Sequence, residues 1–76
     1  MPTLARFGKL LIQMYPGDHA PPHFHVVTPE EEALVTLSNL EIYAGRIDRQ
    51  SFRIAVEWAA ANMEHLNSEW SRLNER

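Results

Sequence analysis

Apolar and polar positions alternate along the first half of the chain and recur every three to four residues along the second. That change of period predicts strands followed by helix. Residues 4–7 and 10–15 are two apolar runs separated by Gly8-Lys9, and a two-residue loop with glycine first predicts a type II′ hairpin turn. In the second run Leu10, Ile12 and Met14 share one face, and Leu11, Gln13 and Tyr15 the other. Tyr15-Pro16-Gly17-Asp18 stops the strand. Pro21 and Pro22 cannot donate to a ladder, so 19–22 reads as an ordered loop. The alternation returns at 23–27, with Phe24 and Val26 on one face and His23, His25 and Val27 on the other. Residues 28–32 form a polar, acidic, solvated turn. Residues 33–37 read as a strand, Ser38-Asn39 as a turn, and 40–44 as a short last strand ending at Gly45. Short loops between all of these predict an antiparallel meander of four to five strands.

Asp48 is placed as a helix N-cap. Beyond it Phe52, Val56, Ala59, Met63, Leu66, Trp70 and Leu73 recur at spacings of four and three, a sustained apolar stripe. No Gly or Pro interrupts 49–76, and Asn62 and Asn67 are the weak formers at which a helix over 46–76 bends or restarts. Length makes this break decisive. A straight helix of about 25 residues measures about 38 Å, whereas strands of five or six residues span only about 17–20 Å. Either two helices cover one sheet, or the Leu66-Trp70-Leu73 end extends past it and packs on another chain. In that second arrangement Glu64, Glu69, Arg72 and Glu75 rim an interface held through Trp70, in a homodimer or with a neighbouring small protein. The fold class is α+β: one domain over 1–76, with the meander and a histidine-rich loop in 1–45 and the C-terminal helical segment packed on the sheet.

A chain of 76 residues holds one modest core. It has no cysteine, so neither a disulfide nor a thiolate zinc site supports it. No stretch approaches the roughly 20 apolar residues of a membrane span, and the N-terminus does not pattern as a signal peptide. A cytoplasmic protein without a membrane partner is the expectation. The net charge of −3 disfavours a broad nucleic-acid surface, which needs clustered Lys and Arg.

Chemistry is concentrated in Asp18-His19-Ala20-Pro21-Pro22-His23-Phe24-His25, which holds three of the four histidines. His19 and His23 have the i, i+4 spacing of a helical zinc pair, but the prolines forbid that helix. His23 and His25 project from one strand face about 6.6 Å apart along the backbone. They can reach one ion, Zn²⁺ or a similar divalent metal, with His19 or Asp18 brought in from the loop as a third ligand. Alternatively the histidines bond backbone carbonyls around the prolines. A third reading makes His23 and His25 a general acid–base pair for phosphoryl transfer, with Arg46, Arg49 and Arg53 binding the anion near a helix N-terminus. Those arginines, beside Asp48 and Glu57, also suit a solvated, salt-paired face.

The Asp18-His19-x-Pro21-Pro22-His23-Phe24-His25 core, preceded by Met14-Tyr15 and followed by Glu57-Trp58 and Trp70, resembles the small bacterial family called domain of unknown function 4160. The similarity runs over nearly the whole chain. One departure is visible. Relatives commonly start the helix with Leu-Pro-Arg-Arg, and here the run is Ile47-Asp48-Arg49-Gln50, which lacks one arginine of the pair. Genes of this family often lie beside that of a second small protein. The resemblance therefore implies a binding and interaction domain, one half of a toxin–antitoxin-like pair that acts through a protein partner. A small RNA-cleaving toxin using the histidine pair is the alternative.

Overall fold

The computed structural model describes residues 3–74. Five strands and two helices follow in order: β1 (Thr3–Phe7), β2 (Leu10–Gln13), β3 (His23–Val27), β4 (Glu32–Thr36), β5 (Ile42–Arg46), α1 (Arg49–Ala61) and α2 (Met63–Asn74). Every sequential pair of strands is antiparallel, and the sheet order is β1-β2-β3-β4-β5. This is the α+β meander that the alternation predicts. Gly8 has φ +62° while Lys9 stays outside the left-handed region, the sign pattern of a II′ turn. Among the described residues no helix is long and apolar enough to cross a membrane.

The core lies on one face of the sheet. Leu10, Ile12, Met14, Phe24, Val26 and Val35 are buried there against Ala55 and Ala59 of α1 and Leu66 of α2. Alternate residues along each of β2, β3 and β4 supply this face, because the period of a strand is two. The face of α1 differs in detail from the expected stripe: Ala55 and Ala59 are its buried residues, and Val56 is only half-buried. Two alanines at the centre let the helix approach the sheet closely, while Phe52, Ile54, Trp58 and Met63 close its flanks.

The helical segment is in two pieces, and Asn62 makes the break. Its N–H donates to the Ala59 carbonyl, and its side-chain amide donates to the Trp58 carbonyl at 2.8 Å. Its own carbonyl accepts the Leu66 N–H at 2.9 Å. One residue thus closes α1 and opens α2. Asn67, the other expected break, is inside α2. The 13 residues of α1 measure about 20 Å, which matches the sheet. Of the two arrangements expected for Leu66, Trp70 and Leu73, two helices on one sheet is the one observed. Leu66 is fully buried in the chain's own core, and Trp70 and Leu73 pack on that core as well. The straight helix that would have carried them past the sheet does not form. Glu75, expected on the rim, lies outside the described residues.

The last strand also shifts. It runs Ile42–Arg46, not 40–44, because the β4–β5 turn is longer than Ser38-Asn39. Leu40 takes a left-handed conformation, φ 55°, with its N–H on the Thr36 carbonyl at 2.9 Å, and the Thr36 N–H donates to the Glu41 carbonyl at 3.0 Å. Thr36 Oγ1 also bonds the Asn39 side chain. Gly45 does not end the strand but sits within it at φ +77°, where a Cβ would collide with the Glu32 carbonyl oxygen. The β4–β5 register runs Leu34↔Ala44 then Val35↔Ile42, so Tyr43 is the extra residue of a bulge.

Candidate metal centre

The site is built at the start of β3. His23 pairs with Thr36 and His25 with Leu34 across the β3–β4 ladder, and His25 pairs with Gln13 across β2–β3. His23 and His25 therefore leave the same face, opposite to Phe24 and Val26. The loop between β2 and β3, which includes a cis Ala20–Pro21 peptide, returns Asp18 to these rings. Asp18 Oδ2 lies 3.0 Å from His25 Nε2 and 3.3 Å from His23 Nε2. Donor atoms of Asp18, His23 and His25 all fall within 4.8 Å of one another.

Both rings are held from behind. His23 Nδ1–H donates to the Pro21 carbonyl at 2.8 Å, and His25 Nδ1–H donates to Glu32 Oε2 at 2.8 Å. A carbonyl oxygen only accepts, so Nδ1 of His23 must carry a proton. A neutral His23 then turns the lone pair of Nε2 toward a carboxylate oxygen 3.3 Å away. Two electron pairs do not face each other at that distance unless something positive lies between them. The same holds for His25, whose two nitrogens both face carboxylate oxygens. A second proton on each ring, or one metal ion shared by all three side chains, satisfies the arrangement.

The donor geometry suits the ion. Metal–ligand distances of about 2.0–2.2 Å place neighbouring donors roughly 3.0–3.5 Å apart, and the two Asp18–histidine separations fall in that interval. An Nδ1–H fixed on a carbonyl or carboxylate, with Nε2 presented, is also the outer-shell pattern of metal-binding histidines.

Aromatic rings enclose the pair. Tyr15 meets His25 edge-on at 4.6 Å between centroids, with its hydroxyl donating to Gln13 Oε1 at 2.7 Å. Trp70 lies 5.4 Å from His23 and Tyr43 6.2 Å. Gly17 N–H donates to Asn74 Oδ1 at 3.1 Å, so the end of α2 is tied both to the loop that carries Asp18 and to His23. The side chains are 6% exposed for His23, 13% for His25 and 26% for Asp18.

The remaining candidates lie elsewhere. His19 is exposed and is not among the converging donors, so of the two loop residues considered it is Asp18 that joins the strand pair. The backbone of 19–22 turns the neighbouring side chain outward. Arg46 and Arg53 have side chains 87% and 78% exposed, beside Glu31 at 3.9 Å and Glu57 at 3.5 Å. Arg49 is exposed on the first turn of α1. Among the described residues none of the three forms a hydrogen bond or ion pair with the cluster.

Sequence reasoning passed over Glu32 and Tyr43. Glu32 reads as part of an acidic turn, yet the β3–β4 register pairs it with Val27, so it stands on the face of His25. The parity of a tight hairpin carries that signal. Nothing in the local sequence marks the bulge that aims Tyr43 toward His23.

Fold and site define a class: a small meander covered by two helices, with a histidine–carboxylate cluster at the start of its middle strand. The chain belongs to the family described as Domain of unknown function (DUF4160), which it matches over residues 10–71, a span that includes all three donors. Comparison with curated proteins and with solved structures gives no match.

Proposed function

We propose that the domain is a metal-binding module in which Asp18, His23 and His25 hold one divalent ion, Zn²⁺ or a similar late first-row metal. The observation that carries this reading is the His23 Nε2–Asp18 Oδ2 approach of 3.3 Å behind a ring whose Nδ1–H is committed to Pro21. That geometry supports a cation between the two atoms. A second proton on each ring would set two imidazolium charges on rings whose centroids are 5.4 Å apart; a metal bonded to three donors satisfies all of them together.

The partner implied by the family resemblance belongs to the same proposal. The domain acts in the cytoplasm as a binding component of a two-protein, toxin–antitoxin-like system, with the metal centre joining the β2–β3 loop to the sheet. The RNA-cleaving alternative uses the same His23 and His25, but the arginines that would hold a phosphate face solvent and carboxylates instead. It is the weaker reading.

Elemental analysis of gently purified protein tests the proposal. Near-stoichiometric Zn²⁺ or a related ion is expected, lost in His25→Ala and in Asp18→Asn and retained in His19→Ala. Protein that is free of metal and takes up none on titration overturns it.

A further inference from the structure

We infer that the centre is coordinatively open: its ion keeps at least one position for a small anionic oxygen or nitrogen ligand from solution. The inference rests on the metal reading and adds to it what the ion does not receive from the protein. Among the described residues three donors converge, whereas divalent first-row ions take four to six. Several polar groups nearby are already engaged. Glu32 Oε2 accepts from the far nitrogen of His25, and the Pro21 carbonyl accepts from the far nitrogen of His23. The Tyr15 hydroxyl is turned to Gln13, and His19 is exposed and outside the donor set. Closed structural sites supply all four ligands from the chain; sites with three ligands leave room for water or substrate.

The approach and the charge define the ligand. Access lies on the Asp18 side, since that carboxylate is 26% exposed while the His23 ring is 6% exposed. Tyr15 and Trp70 flank the two rings at 4.6 and 5.4 Å between centroids. A divalent ion with one carboxylate in its first shell keeps a net positive charge there, and the compensating Glu32 carboxylate stands behind His25, away from the opening. A monoanion such as azide or a carboxylate matches that field.

The test uses the full chain loaded with Co²⁺, whose visible absorption reports coordination. Titration with Co²⁺ should produce a saturable absorption band, lost in His25→Ala, and azide added afterwards should change that band saturably. His19→Ala should leave both steps as in wild type. A Co²⁺ band that azide does not alter means a closed shell and overturns this inference while the metal reading stands. An azide response gained only in His19→Ala makes His19 the fourth ligand and overturns it equally. Absence of any Co²⁺ or Zn²⁺ binding removes the metal reading and the open position with it.

Discussion

His25 and Glu32 bond across β3 and β4 although neither stands opposite the other. The register pairs His25 with Leu34 and Glu32 with Val27, and the 2.8 Å contact from Nδ1 to Oε2 is diagonal, within the reach of long side chains on one face. Glu32 thereby selects the His25 tautomer that presents Nε2 to Asp18. Replacing it should weaken metal binding by about 10–100-fold, the usual effect of an outer-shell partner. Glu32→Leu is expected to show the full loss by competitive chelator titration and Glu32→Gln a smaller one, because an amide oxygen still accepts the Nδ1 proton. Equal affinities in all three proteins would show that Glu32 does not orient the ring.

The apolar residues of α2 stabilise this chain from within. Leu66 is fully buried, so Leu66→Ala should cost about 2–5 kcal/mol in chemical denaturation. Trp70→Ala should also lower stability and, by uncovering His23, weaken metal binding. Sedimentation of the folded variants should match wild type. A Trp70→Ala protein of unchanged stability and smaller sedimentation coefficient would instead place Trp70 between chains.

Gly45→Ala is the backbone counterpart. The position combines φ +77° with a direct collision between any Cβ and the Glu32 carbonyl, so β4 and β5 must separate to admit a methyl group. Strain of this kind costs of order 1–3 kcal/mol and should appear as a lower denaturation midpoint. An unchanged midpoint would mean that the strands part without loss.

The N-cap of α1 gives a pH dependence of known sign. Asp48 accepts the Ser51 N–H at 3.0 Å, and this bond holds its carboxyl below the ordinary value of 3.8. A carboxylate lowered on folding contributes stability above its unfolded value, and loses that contribution as pH falls through the lowered folded one. Asp48→Ala should therefore be less stable than wild type at neutral pH, and the gap should narrow in acid below pH 3.8, where the protonated carboxyl keeps only a neutral acceptor oxygen. Asp48→Asn, which keeps the oxygen but not the charge, should lie between them at neutral pH. A gap of the same size at neutral pH and in acid would show that the charge of Asp48 contributes nothing.

Much of this was readable from residue pattern, and the limits have physical causes. Strand alternation located β1 to β4 within a residue or two because one face is buried and the period of two is strict. The helix break was not decided by Asn62 itself, since Asn67 has the same propensity. Sheet length decides it, and that is a tertiary quantity. The end of the meander was misplaced because Leu40 adopts a glycine-like conformation, while Gly45, a breaker by composition, serves as a contact point inside β5. At the site, His23 and His25 followed from parity on one strand. The choice of Asp18 over its neighbour His19 needed the path of the proline loop, and Glu32 needed the hairpin register.

The three donors lie within eight residues of one another in sequence, and Glu32 follows seven residues after His25. Few centres ask so little of the chain: closing a loop this short costs little entropy, and contacts of such low sequence separation form early in folding. The metal would then engage the β2–β3–β4 segment before the helices arrive. Because the same histidines remain close together when the domain is unfolded, the proposed ion would also retain affinity for the denatured chain. Its effect on melting temperature would accordingly understate its affinity for the native one.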